Sequence, residues 1–167
     1  MKTSKFSFLI LGVLFSFTTV RSQEFKLGGG LSLGTESSVD EDFLGDPAFG
    51  INLRGLYKIT EKWGVTGGAT YFFSKAPEPL ESTVYAFNFD GTYSFVTNGT
   101  LDFYGLVGFN VGYIKVENTE DNLEADDTLT GMELGIGIMT RMGLFLEAKA
   151  DGALEQGQFT LGYLLKL

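Results

Sequence analysis

Apolar and polar side chains alternate along most of this chain from residue 24 onward. In the first segment, Phe25, Leu27, Leu31 and Leu33 take one set of alternate positions, and Lys, Ser or Gly takes the other. A period of two is that of a β-strand, whose successive side chains point to opposite faces. Eight such segments follow one another, at residues 24–35, 48–59, 63–74, 82–95, 100–117, 129–141, 143–152 and 158–167.

The connections between these segments differ in length. Tight connections lie near residues 60–62, 97–99, 142–143 and 153–157, and longer polar ones span residues 36–47, 75–81 and 118–128. Asn98-Gly99 suits a hairpin turn that requires a positive φ. An even number of strands, each long enough to cross a bilayer and joined by short turns at one end, is typical of outer-membrane barrels. The sequence predicts an all-β, eight-stranded antiparallel up-and-down transmembrane β-barrel.

Alternation alone does not say which face is outside, because a soluble lipocalin-like barrel turns its apolar face inward around a ligand. Here the apolar face carries no charge, and its aromatic residues gather toward the strand ends, as in the interfacial girdles of membrane barrels. The other face combines glycines with charges of both signs, which suits a narrow lumen where buried charges need partners. We therefore predict an apolar exterior and a lumen charge network. Its predicted members are Lys26, Arg54, Lys58, Asp90, Asp102, Glu133, Arg141, Glu147, Lys149, Asp151 and Lys166.

The composition excludes several kinds of chemistry. The chain has no Cys and no His, so it lacks thiolate sites, disulfides, and the commonest general base and metal ligand. Its net charge of −9 argues against a nucleic-acid partner. The acidic segment 118–128 has oxygen ligands for a divalent ion, but its spacing matches no EF-hand and favours a solvated loop. We predict that the protein is not an enzyme, with no catalytic residue, cofactor site or metal site.

The first 22 residues have the pattern of a secretory signal peptide. Lys2 and Lys5 precede an almost unbroken apolar run at residues 6–17, and small or permissive residues follow up to Ser22. The run is too short for a membrane-spanning helix, which needs about 20 residues. We predict cleavage near Ser22 and a single barrel domain over residues 23–167.

The eight alternating segments and the final strand, residues 158–167, resemble the small eight-stranded outer-membrane barrels. That porin-like family includes outer-membrane protein X and the membrane domain of outer-membrane protein A, and the resemblance covers essentially the whole mature chain. It implies insertion by the barrel-assembly machinery, which reads the last strand. Here that strand ends in Leu167 instead of the usual Phe.

Several residues on the otherwise polar face are large and apolar, among them Leu56, Phe72, Tyr104, Phe145 and Leu164. Because an eight-stranded lumen is just wide enough for its own side chains, we expect it to be plugged. The expected role is structural or surface-interactive, with periplasmic termini and acidic external loops of unidentified partner. Expected neighbours are outer-membrane lipid and lipopolysaccharide. A small porin or transporter of small or apolar solutes, and a soluble periplasmic lipocalin-like binder, are the alternatives.

Overall fold

The computed structural model describes residues 24–35, 48–73, 80–118 and 123–167, and the predicted signal peptide lies outside them. These residues form eight strands: β1 (Glu24–Thr35), β2 (Ala48–Lys58), β3 (Trp63–Phe73), β4 (Leu80–Thr97), β5 (Leu101–Asn118), β6 (Leu123–Thr140), β7 (Leu144–Asp151) and β8 (Gln156–Lys166). Each strand pairs antiparallel with the next, and β1 pairs with β8 to close the barrel. The predicted architecture is confirmed. Within the described residues, no helix is long and apolar enough to cross a membrane.

Three short turns lie at one end of the barrel, called here the turn end, together with the start of β1 and the end of β8. In the β2–β3 turn, the Thr60 hydroxyl accepts hydrogen bonds from the backbone N–H groups of Lys62 (3.3 Å) and Trp63 (2.9 Å). In the β4–β5 turn, the Asn98 side-chain oxygen accepts in the same way from Thr100 and Leu101. Gly99 has φ +78°, which confirms the predicted requirement for a positive φ.

The two faces of the sheet differ as the alternation predicts. On the outside, Leu31 and Phe109 are each 67% exposed and Leu134 is 66% exposed. On the inside, Asn110, one position after Phe109, is only 2% exposed. This facing is the reverse of the one that a lipocalin-like binder needs, because its apolar side chains must surround the ligand.

Strands β4 and β6 are longer than the alternation indicated, with 18 residues each, whereas β5 has the predicted length and is displaced by one residue. The prediction of a loop over residues 118–128 was wrong for its second half, because β6 begins at Leu123 and pairs with Asn118 of β5. Residues 125–128 are exposed, so no apolar face repeats there and the period of two disappears although the strand continues. The end of the barrel that carries this extension is called the loop end.

Candidate functional site

A buried ion pair crosses the middle of the lumen. Arg54 on β2 donates two hydrogen bonds of 2.6 Å to the carboxylate of Glu147 on β7, one to each oxygen. Both side chains are almost fully inaccessible to solvent. Because β1 and β8 separate the two strands, the pair joins distant parts of the barrel wall. A bidentate contact of this kind fixes both distance and orientation.

Aromatic side chains hold this ion pair in place. The Tyr104 hydroxyl donates a hydrogen bond of 2.8 Å to Glu147, and the Arg54 guanidinium lies 5.2 Å from the centre of the Phe145 ring. Gly137 lies between Tyr104 and Glu147 in the strand register. A Cβ atom at Gly137 would lie 2.3 Å from the Tyr104 ring. The tyrosine reaches the carboxylate only because this position has no side chain.

Apolar side chains fill the lumen on the turn-end side of the ion pair. The cluster consists of Leu56, Tyr104, Leu106, Met139, Phe145 and Leu164, all at most 5% exposed. The space left between this cluster, Arg54 and Lys58 is a cavity of about 20 Å³, room for roughly one water molecule. At this level the lumen is closed by side chains.

A second group of charges lies on the loop-end side of the ion pair. Lys149 donates a 3.1 Å hydrogen bond to Glu133, and Thr66 and Asn88 donate to one oxygen of Asp90 at 3.0 and 2.6 Å.

The Asp151 carboxylate in the same region accepts hydrogen bonds from the Asn110 amide and from the backbone N–H groups of Ala153 and Leu154. These bonds attach the β7–β8 turn to the lumen wall. Each of these buried carboxylates therefore has at least one donor, but one oxygen of Asp90 and one of Glu133 are buried without a hydrogen-bond partner among the described residues.

The remaining predicted network residues lie at the turn end. Lys58 and Asp102 form an ion pair of 2.6 Å at the rim of the lumen, and buried Lys26 lies 3.4 Å from Glu24. Arg141 and Lys166, also predicted for the network, are exposed at this end, and Lys166 lies 3.6 Å from Glu24. β6 ends at Thr140, so the alternation does not reach Arg141 in the following turn. Lys166 is the last residue of β8, where the wall ends.

At the loop end, β6 extends beyond the last residue of its neighbour β7. The last β6–β7 pair joins Glu133 to Asp151, and the Gly152 N–H donates to the Met132 carbonyl just beyond it. From there to Leu123, β6 pairs with β5 alone within the described part of the chain. This surface, called the β4–β6 extension, consists of residues 80–84, 114–118 and 123–132. Within the described residues, β6 has a partner on only one side here, and such a strand edge is the kind that pairs with another extended segment.

The described residues hold no group of three or more His, Cys, Asp or Glu side chains arranged to bind a metal ion. The arrangement at the centre of the lumen is a closed network of ion pairs and apolar side chains.

Comparison with known proteins identifies the family of the chain. The model of the outer membrane protein β-barrel domain family matches residues 6–157. The chain belongs to this family. The family consists of non-enzymatic barrels of the bacterial outer membrane. No curated protein matches the sequence.

Solved outer-membrane barrels share the fold at low sequence identity. The attachment invasion locus protein Ail of Yersinia pestis is 19% identical with a TM-score of 0.61, over 87% of this chain and 97% of its own. It has also been solved with the heparin analogue sucrose octasulfate. Neisserial surface protein A is 13% identical with a TM-score of 0.62, over 86% of this chain and 96% of its own. The N-terminal barrel of Pseudomonas aeruginosa OprF is 15% identical with a TM-score of 0.58, over 86% and 97%.

The outward face of this outer-membrane barrel contacts lipid, and two aromatic rows mark its borders. Trp63 and Tyr93 pair near the turn end with ring centres 4.7 Å apart. Tyr71, Tyr85 and Tyr113 form the second row on three adjacent strands, at 5.1 and 6.4 Å. Trp63 and Tyr71 are eight positions apart on β3, which at a strand tilt near 40° corresponds to about 20 Å across the membrane. That distance is close to the height of an outer-membrane apolar band.

Sequence reasoning proposed a set of charged lumen residues for the outer-membrane barrel without their pairing. It also missed the neutral members of the network. Asn52, Thr66, Asn88, Asn110 and Gln158 are all buried on the lumen face. Each of these residues occupies a polar position in the alternation, and that position could have predicted it as a lumen residue. No local pattern marks Gly137 as the position that admits the Tyr104 ring, since several glycines share that face.

Proposed function

We propose that this outer-membrane barrel has a structural and surface-interaction role, with a closed lumen and a contact surface formed by the β4–β6 extension. The observation that carries the proposal is the pairing of β4, β5 and β6 out to Leu80, Asn118 and Leu123, beyond the last β6–β7 pair at Glu133. A paired sheet whose β6 edge has no strand partner among the described residues is a surface on which an extended segment of another molecule can add a strand.

Charge favours a cationic partner for this surface. The β6 part of the extension carries Glu124, Asp126 and Asp127, and residues 125–128 are exposed. The opposite chemistry is found for Ail, which was solved with a heparin analogue, a polyanion. An acidic edge would repel such a ligand, so the partner proposed here is an extended segment rich in Lys or Arg.

The proposal includes an orientation. The termini and the three short turns face the periplasm, and the loop end faces outward, where acidic side chains meet lipopolysaccharide and outside molecules. We also propose that residues 1–22 are removed as a signal peptide. The barrel-assembly machinery would then insert the remaining chain into the outer membrane. Short periplasmic turns and longer external loops are the usual arrangement in bacterial barrels.

Single cysteines test the orientation, because the sequence has none of its own. Asp126→Cys lies in the extension and Thr100→Cys in the β4–β5 turn, and both positions are exposed. A membrane-impermeant maleimide added to intact cells should label the first variant and not the second. Labelling of Thr100→Cys alone would reverse the orientation.

A fluorescent oligolysine peptide then tests the surface. Binding to intact cells that produce the wild-type protein should exceed binding to cells that produce Asp127→Asn. Glu61→Gln is the matched control, since it removes one exposed carboxylate at the turn end. Equal peptide binding to all three types of cell would contradict a role for the extension.

A further inference from the structure

A second cavity lies at the turn end and shares Lys58 and Asp102 with the small cavity beside Arg54. Its volume is about 510 Å³, and its charged lining residues are Glu24, Lys26, Lys58, Asp102, Arg141 and Lys166. Thr97, Gly99 and Thr100 of the β4–β5 turn complete its rim. This cavity is called the basic vestibule.

The basic vestibule has a charge opposite to that of the whole protein. Its lining carries four cationic and two anionic side chains, whereas the sequence has 12 Lys and Arg against 21 Asp and Glu. The surplus of two positive charges lies in a recess with protein walls. Such a recess focuses the electrostatic field and concentrates ions of the opposite sign.

The ion pairs within the vestibule leave N–H donors of its lysines and arginine available. Glu24 lies within ion-pair distance of both Lys26 (3.4 Å) and Lys166 (3.6 Å). Within the described residues, no carboxylate forms an ion pair with Arg141. The two lysines share one acid, and the guanidinium keeps its donors for another acceptor.

Lys26 is the most unusual of these cations because it is 5% exposed. Its ammonium group contacts Glu24 and, at 3.9 Å, the sulfur of Met139. A thioether is a weak acceptor, and an ammonium group has three N–H donors. Within the described residues, Glu24 is therefore its one strong acceptor, and donors of the ammonium group remain for a further anion.

We propose that the basic vestibule is a binding site for a phosphate group, held by Arg141, Lys26 and Lys166. Arg offers several N–H donors in one plane, and Lys offers a point charge, a combination that suits tetrahedral oxyanions. The phosphate belongs either to a free ion or to the headgroup of a phospholipid in the leaflet at the turn end. This site does not depend on the surface role of the β4–β6 extension.

Calorimetric titration of the folded protein with inorganic phosphate tests the proposal. The protein is kept in a maltoside detergent, which contains no phosphate of its own. Saturable binding that weakens as salt is added is expected. Arg141→Gln should weaken binding about fivefold, the effect of one charge close to the ion.

A variant that binds phosphate more tightly than the wild type cannot be explained by misfolding. Glu24→Gln removes the acid that Lys26 and Lys166 share, and it should strengthen phosphate binding by a similar factor. Lys62→Gln is the matched control, because Lys62 is exposed at the same end but does not line the vestibule. An equal loss in Lys62→Gln and Arg141→Gln would show attraction to general surface charge and overturn the proposal.

Reconstitution distinguishes the two sources of phosphate. If the site binds a lipid headgroup, phosphatidylglycerol added to phosphatidylcholine vesicles should raise the midpoint of thermal unfolding more for the wild type than for Arg141→Gln. In detergent, titration with free phosphate should then give no heat of binding. A free-ion site predicts binding in detergent and no dependence of the midpoint on phosphatidylglycerol. Absence of both effects would overturn the proposal.

Discussion

Arg54 and Glu147 form a bidentate ion pair across the lumen, with both hydrogen bonds at 2.6 Å. The two residues are 93 positions apart in sequence, on strands separated by β1 and β8. The contact therefore depends on closure of the whole barrel. Desolvation of two charges is costly, so such a pair contributes more to a specific arrangement than to net stability.

Removal of one partner should be far more damaging than removal of both. Arg54→Met leaves Glu147 buried without its counter-ion, and we expect the free energy of unfolding to fall by about 3–5 kcal/mol. Arg54→Met combined with Glu147→Met should recover most of that loss, since no charge is then left unpaired. Urea titration of the protein in lipid vesicles, followed by the heat-dependent shift in gel mobility, measures both.

Lys58→Met is the comparison for this pair. Lys58 also has a 2.6 Å contact to a carboxylate, but both side chains are partly exposed. We expect a loss of about 0–1 kcal/mol there, as for other solvent-screened ion pairs. Equal losses in Arg54→Met and Lys58→Met would show that burial of the central pair has no energetic consequence.

The Tyr104 hydrogen bond should depend on the glycine beneath the ring. Gly137→Val would push the ring away from Glu147, because even a Cβ atom at this position lies 2.3 Å from Tyr104. We expect a loss of about 1–3 kcal/mol from overpacking, measured by urea unfolding as above.

Gly105→Ala supplies the control for this overpacking. Its Cβ would have only the Gly135 carbonyl oxygen nearby, at 3.9 Å. It should unfold within about 0.5 kcal/mol of the wild type, as an uncrowded surface substitution does. A loss in Gly105→Ala as large as in Gly137→Val would point to glycine backbone effects and away from the tyrosine.

The period of two predicted the strands wherever one face meets lipid and the other meets the lumen. Phe109 and Asn110 are neighbours in sequence with opposite environments, so the pattern is strong there. Residues 125–128 of β6 are solvent-exposed, and their strand is maintained by backbone pairing with β5. Side-chain alternation contains no information about that pairing, which is why the segment was predicted as a loop.

The charged lumen residues were predictable as a set for a related reason. A charge at an inward position is visible in the alternation, as for Arg54, Glu133 and Glu147. Its partner depends on how the strands are staggered around the barrel, which no single strand encodes. Arg141 is exposed for a local reason, because β6 ends one residue earlier, at Thr140.

Opposite responses to charge on the two faces should confirm the facing in a membrane. Val107 is 51% exposed on the outer wall, and Val107→Arg would place a guanidinium against lipid. We expect it to block insertion or to destabilise the barrel by about 2–4 kcal/mol. Asn110→Lys places an ammonium group beside Asp151, which already accepts from Asn110. It should be better tolerated in the same refolding assay, and equal tolerance of both variants would contradict the assigned facing.

The closed lumen predicts that the protein does not conduct ions. The apolar cluster around Phe145 and Leu164 leaves a cavity of about 20 Å³ beside Arg54, and an ion that entered it would lose its hydration shell. In planar bilayers we expect no channel events from the wild-type protein. Phe145→Ala with Leu164→Ala removes two large side chains from the cluster and is the variant most suited to open a path. Reproducible conductance of the wild type would revive the small-porin alternative, whereas channels in the double variant alone would identify these two side chains as the seal.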